Sequence, residues 1–232
     1  MEEFDVAGLA AYLHITPDQV RKLVKQERLP SRRVGGELRF PEAEVHHWLE
    51  DRIGVSDEGQ LLKVEAALER AAPAHPTWSI AEFCSVERIA IPLNSRTRGS
   101  AIRDMAKLAT AGGLMWDAPA MAAAVLARED LHPTALDNGV AMLHPRRPQT
   151  SILADSVIAL GIAPQPLPFA GGGQLTDIFF LICSFDDASH LRILARLSRM
   201  IAVAGWLEQL RATESAVEAH QLLAEAETPL LE

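Results

Sequence analysis

The sequence predicts an α/β protein in two parts: a small N-terminal helix-turn-helix with a wing, and a larger C-terminal body in which strands and helices mix. Three observations predict it. Residues 5–40 hold two short stretches of helical period, each with a start signal, followed by an alternating stretch that turns at Gly35-Gly36. A polar, Ala/Leu/Glu-rich stretch then ends at Pro73 and Pro76. From Trp78 onward, apolar runs of strand length alternate with longer runs of helical period, the pattern of one sheet with helices on both faces. The expected boundaries are 1–52, 53–77 and 78–232.

In the first part, Asp5 can cap a helix carrying Leu9 and Leu13. Thr16-Pro17-Asp18-Gln19 is a capping box with proline at the first helical position, and it opens a second helix with Val20, Leu23 and Val24 inward. Two short helices joined by a tight turn suggest helix-turn-helix. Ser31 to Phe40 alternates around the Gly-Gly pair as a hairpin does, and Pro41-Glu42 is expected to start a third helix ending at Trp48-Leu49.

Charge placement points to DNA. Residues 1–52 are close to neutral, with 8 Lys+Arg against 10 Asp+Glu, yet residues 21–39 hold seven of the basic residues and only Glu27 and Glu37. Positive charge is thus gathered on the second helix and the wing, as contact with a phosphate backbone requires. A short basic helix can also be no more than a solvated face. The run Leu29-Pro30 to Arg39-Phe40, with its Arg-Val-Gly-Gly core, resembles the excisionase or MerR-like winged helices. That resemblance implies a second helix in the major groove and wing arginines on the backbone of double-stranded DNA. Carried over, the contact residues are Gln19, Arg21, Lys22, Lys25, Arg32, Arg33 and Arg39.

Residues 56–72 read as a helix with Leu61, Val64, Leu68 and Ala71 at heptad-like spacing. Two heptads serve either a connecting helix packed on its own chain or a homodimer seam. In the body, strands are expected at Val86–Leu93, Gly139–Leu143, Val157–Ala163 and Leu175–Ser184. Helices are expected at Ser100–Ala111, Asp117–Arg128, Ser189–Ala204, Gly205–Arg211 and Thr213–Ala226. Gly171-Gly172-Gly173 lacks the Lys-Ser/Thr of a phosphate-binding loop and reads as a turn.

The chemistry is concentrated between Arg128 and Arg147. Val140 to Leu143 reads as a buried strand, so His144 stands where it ends, followed by Pro145, Arg146 and Arg147. An imidazole held yet reachable there can accept a phosphoryl group if cations screen its oxygens. On these residues alone, a strand-end histidine among surface arginines is the simpler reading.

The segment also resembles the active-site region of phosphotransferase-system IIA domains of the mannitol/fructose and nitrogen-regulatory type. Those carry Arg-Glu-Glu, a Ser/Thr-Gly, then Gly-x-Ala-Ile-Pro-His; here Arg128-Glu129-Asp130, Thr134 and Gly139 to His144 stand in their place. The similarity runs from about Trp78 to about Ala226 and implies a mixed α/β sandwich of the IIA type. It also implies that His144 accepts phosphate from a histidine phosphocarrier protein, with Arg128 and Thr134 in the site and His190 as the second histidine. His190, opening a helix after Asp186, Asp187 and Ser189, would bind phosphoryl oxygens or orient the His144 ring. Two departures are visible. The proline follows the histidine instead of preceding it, and Ala135 and Asp137 replace glycines, so the loop from Thr134 to Asn138 is expected to differ in shape.

His14, His46, His47, His75, His132 and His220 lack metal-ligand spacing, and neither a metal site nor a cofactor is expected. The formal charge of -9 excludes indiscriminate nucleic-acid binding by the whole molecule. Cys84 and Cys183 show no CxxC spacing, no signal segment is seen and no run is long enough to span a bilayer, so a cytoplasmic location is expected. Three functions follow: a phosphorylation-responsive DNA-binding regulator, a phosphocarrier passing phosphate to a sugar-specific IIB component, and an interaction module that kept the fold without the chemistry.

Overall fold

The computed structural model describes residues 3–13, 15–26, 29–41, 44, 45, 48, 78–170 and 174–230. They fall into two compact units, one within Met1–His75 and one within Pro76–Glu232. The expected helix over 56–72, the Gly171-Gly172-Gly173 turn and most of the expected third helix lie outside the described residues.

In the first unit, α1 (Val6–Tyr12) is capped by Asp5, whose Oδ1 accepts the Gly8 N–H at 2.6 Å. The expected capping box opens α2 (Pro17–Lys25): Thr16 Oγ1 accepts the Gln19 N–H at 3.2 Å and Gln19 Oε1 accepts the Thr16 N–H at 2.8 Å. The wing is β2 (Arg32–Val34) against β3 (Glu37–Pro41), turning on Gly35 and Gly36 at φ 61° and 89°, a region open to glycine at little cost. A further strand not expected from sequence, β1 (Glu3–Phe4), pairs with the other edge of β3. Two residues are too few for a periodicity to register. Leu9, Val20, Phe40 and Val45 are fully buried and form the core of this unit.

The second unit is built on a four-stranded mixed sheet of order β4-β6-β7-β5. Its strands are β4 (Ile89–Ala90), β5 (Val140–Leu143), β6 (Val157–Pro168) and β7 (Leu175–Cys183). β6 and β7 are antiparallel, whereas β4 on β6 and β5 on β7 are parallel. The helices are α3 (Ile80–Phe83), α4 (Arg98–Leu108), α5 (Ala118–Glu129), α6 (Asp187–Ala202), α7 (Trp206–Ala212) and α8 (Ala216–Glu227).

Both sheet faces are covered, which is why the strands read as continuous apolar runs. Ala141, Leu143, Val157, Ala159, Phe179, Leu181 and Cys183 share one core with Ile102, Met105, Met121 and Val125 of α4 and α5. The alternate residues, Val140, Met142, Ile158, Leu160, Ile178, Phe180 and Ile182, are equally buried. On their side Ser198 of α6 reaches Met142 Sδ at 3.9 Å, and the Phe180 and Trp206 rings stack at 6.5 Å.

One expected strand is corrected. Over Val86–Leu93 the chain makes a 3-10 turn at Val86–Arg88 and only two residues of strand. The buried Arg88 guanidinium takes the Ala111 carbonyl at 2.9 Å and the Phe83 carbonyl at 3.1 Å, and Pro92 has no N–H to continue a ladder. Conversely, β6 runs to Pro168, past the expected Ala163, through an irregularity between Ile162 and Leu167.

Candidate functional site

β5 and β7 are parallel, with Leu143 opposite Leu181, so both deliver their C-terminal ends to one edge of the sheet. Open α/β sheets bind ligands outside that edge. His144 follows β5 and Ser184 follows β7. The chain then turns at Asp186, whose carboxylate caps α6 by accepting the Ser189 N–H at 2.7 Å and the Ser189 hydroxyl at 2.8 Å. This places His190 in the first turn of α6, facing back to the strand ends. The His144 and His190 rings lie 5.0 Å apart at 57°.

Nδ1 of each ring has a partner. His144 Nδ1 lies 2.8 Å from the Met142 carbonyl oxygen. A carbonyl only accepts, so Nδ1 carries the proton and the lone pair of the neutral ring sits on Nε2. His190 Nδ1 lies 3.1 Å from Ser184 Oγ.

The end of α5 and the loop before β5 carry the other two residues expected here. Arg128, at the end of α5, donates from Nη1 to the His132 carbonyl at 2.7 Å. Thr134 gives its N–H to both Glu129 carboxylate oxygens at 3.2 Å and its hydroxyl proton to Oε1 of the same group. Its own carbonyl accepts the Met142 N–H at 3.3 Å, and Ala135 bridges Ala141. Gly139, at φ 87°, makes the reversal into β5; its carbonyl accepts the N–H groups of Asp177 and Ile178 at 3.0 and 3.2 Å.

The structure therefore brings His144 and His190 together and ties Thr134 to His144 through Met142, with Arg128 anchoring the same loop. It also corrects the expectation of a reachable ring. His144, His190 and Arg128 are 3%, 5% and 4% exposed, and Nε2 of both histidines is buried. His190 tilts over the imidazole, and the arm at Thr134-Ala135 lies along the outer edge of the strand that leads to it. Arg146 and Arg147 are exposed beside this buried pair. Glu129 enters the sequence reading only as the acid that follows Arg128, with no role of its own, and Ser184 only as the end of a strand; the further signal available for Glu129 is an acid at the buried end of an apolar helix. Among the described residues there is no cluster of His, Cys, Asp or Glu suited to a metal ion, and no helix is long and apolar enough to cross a membrane.

The residues expected to touch DNA sit on α2 and the wing. Arg21, Lys22, Lys25, Arg32 and Arg33 are exposed, and Arg39 is half-buried. Several are engaged within the unit. Arg21 pairs with Asp18 at 3.0 Å, Arg32 with Glu3, and Arg39 lies 3.9 Å from Asp5. Arg33 Nη1 donates to the Gly36 carbonyl at 3.2 Å, and Gln19 spends its carbonyl on the helix cap.

The comparisons concern both units. Residues 4–53 match the model of a helix-turn-helix domain, and residues 82–226 match that of the phosphoenolpyruvate-dependent sugar phosphotransferase system, EIIA 2. Among solved structures, the nitrogen regulatory protein IIA-Ntr from Neisseria meningitidis is 20% identical, covers 62% of this chain and 98% of its own, and superposes with a TM-score of 0.56. IIA mannitol from Escherichia coli is 22% identical over 60% of this chain and 97% of its own, TM-score 0.54. The Escherichia coli complex of enzyme IIAMTL and phosphorylated enzyme IIBMTL is 21% identical over 61% of this chain and 96% of the matched one, TM-score 0.53. No curated protein matches the chain. At these identities the solved structures speak for the fold, a mixed sheet between two helical layers. The family model spans well over half of the sequence, and the chain accordingly belongs to the phosphotransferase-system EIIA 2 family, with a helix-turn-helix domain ahead of the EIIA 2 domain.

Proposed function

We propose that the protein is a DNA-binding transcription regulator whose IIA-like domain accepts a phosphoryl group on His144 Nε2 from a histidine phosphocarrier protein. The observation that carries this reading is the Nδ1 hydrogen bond of His144 to the Met142 carbonyl, which leaves Nε2 as the nucleophile beside a second histidine. In the transfer, the Nε2 lone pair forms a bond to phosphorus while the donor's P–N bond breaks and its electron pair returns to the donor ring. Each ring keeps the proton on its other nitrogen, so no proton need move. The positive charge gained by the His144 ring is stabilised by the Met142 carbonyl. Arg128 supplies a permanent cation for the phosphoryl oxygens, and His190 a second donor when protonated. The basic residues of α2 and the wing make the DNA contacts. A sugar-specific IIB component is the other class of partner, as a recipient of the phosphate.

Burial favours a second reading, a module that keeps the fold without the chemistry, because Nε2 of His144 is covered. Intact-mass measurement after incubation with the general phosphotransferase proteins and phosphoenolpyruvate decides between them. A phosphoryl adduct on wild type and none on His144→Ala supports the acceptor; no adduct on either leaves the second reading.

A further inference from the structure

The carboxylate of Glu129 is 1% exposed and faces the chain that leads to His144. Burying an ionised carboxylate costs several kcal/mol unless donors surround it, so its partners show what that cost secures. They are the N–H and the hydroxyl of Thr134. With Thr134 pinned from one side, its carbonyl on the other receives the Met142 N–H, and the bridge of Ala135 to Ala141 completes a short antiparallel arm. The arm fixes the orientation of the 141–142 segment, and the Met142 carbonyl in turn fixes the proton of His144 on Nδ1. We infer that Glu129 is a positioning residue that, through Thr134 and Met142, sets the tautomer and aim of His144.

This assigns Thr134 a different part from that of a phosphate ligand. A threonine hydroxyl has one proton to give, and here it is given to Glu129. With its proton given to Glu129, the Thr134 hydroxyl offers only lone pairs to an arriving phosphoryl group, and these repel its oxygens. The hydroxyl acts as a second tether for the loop.

The inference rests on the acceptor reading only for its consequence in transfer; the tautomer can be measured without phosphate. Nitrogen-15 NMR of the full chain reports which His144 nitrogen bears the proton, and phosphorylation rates are followed by intact mass. Glu129→Gln is the conservative variant: its carbonyl accepts the Thr134 N–H, and its amide donates to the Thr134 hydroxyl, which rotates to accept. It should keep the Nδ1–H tautomer and a near wild-type rate. Glu129→Ala should yield a mixture of tautomers and lose roughly 10- to 100-fold in rate, the scale of an ångström-level misplacement. Should Glu129→Ala fold poorly, Glu129→Asp, too short to hold both Thr134 groups, should shift the tautomer in the same direction by less. A folded Ala or Asp variant with the wild-type tautomer overturns the inference. If the wild type takes no phosphate, the acceptor reading fails and the tautomer alone judges Glu129. If phosphate is taken and the tautomer is indifferent to Glu129, only the inference falls.

Discussion

Replacing Gly139 by alanine tests whether the entry to β5 is as tightly specified as its geometry says. Gly139 has φ 87°, where an L residue costs roughly 1–2 kcal/mol more than glycine. A Cβ there would also stand 2.8 Å from Arg211 Nη2 and 2.9 Å from Asp177 Oδ1. Neither atom is free to retreat. Arg211 forks onto Asp177 at 2.7 and 3.0 Å and reaches the Asn138 carbonyl at 2.6 Å. The alanine must therefore open a partly exposed ion pair worth up to about 1 kcal/mol and weaken one further hydrogen bond worth about 1 kcal/mol. The total is about 2–4 kcal/mol. Gly113→Ala is the control, because Gly113 has a similar φ of 74° and nothing within 4 Å of its added Cβ; it should cost only the backbone share of about 1–2 kcal/mol. Urea unfolding of both variants, followed by circular dichroism over the transition of the second unit, gives the difference directly. If Gly139→Ala is no more costly than Gly113→Ala, the clash with the Arg211–Asp177 fork is not real and the anchoring of β5 has been misjudged.

Two other expectations concern carboxylates. Glu3 holds Arg32 of the wing and would compete with a DNA phosphate for it; Glu3→Gln should tighten DNA binding by about two- to fivefold, the worth of an exposed pair, as read by fluorescence anisotropy at fixed salt, and unchanged or weaker binding would refute the competition. Burial raises the Glu227 pKa above its ordinary value of 4.5 despite the N–H groups of Ile80 and Ala81 and the Arg196 guanidinium that face it. The folded chain then holds that proton more tightly than the unfolded chain, so stability should fall as pH rises from about 4.5 through the raised value, and Glu227→Gln should flatten that part of the curve.

Much of this fold was legible because it rests on signals that act locally. The Thr16 capping box, the Gly35-Gly36 turn and the two-faced apolar strands each declare themselves within a few residues. β1 did not, being two residues whose strand character comes from the edge of β3. Arg88 delays the strand expected from Val86 because the Ala111 carbonyl, 23 residues on, takes its guanidinium, a tertiary fact no short window contains. In the site, the sequence places His144 at a strand end and His190 in the opening turn of a helix, as the structure does, whereas burial could not be read: the ring that tilts over His144 belongs to a helix that begins more than forty residues later.

That cover bears on how a phosphorylated state could signal. A phosphoryl group adds roughly -1.5 to -2 charge at neutral pH, here on a ring only 3% exposed. An uncompensated buried charge of this size costs several kcal/mol, so the modified protein must answer it. Either the Arg128 guanidinium leaves the His132 carbonyl for the phosphoryl oxygens, or the ring moves outward and lifts the Thr134 arm. The first answer works next to Leu131, which is 65% exposed and gives its N–H to the Arg128 carbonyl at 3.2 Å. A regulator needs two such states, and it needs DNA to prefer one of them, since a ligand with equal affinity for both shifts nothing. Coupling energies are typically about 1–3 kcal/mol, or roughly 5- to 150-fold in affinity. DNA affinity measured at one salt concentration for unmodified protein, phosphorylated protein and His144→Ala should therefore differ by at least about fivefold between the first two, with the variant indifferent to the phosphodonor. Equal affinities for all three would mean that the helix-turn-helix and IIA-like domains work independently, and the phosphorylation-responsive reading would have to be given up.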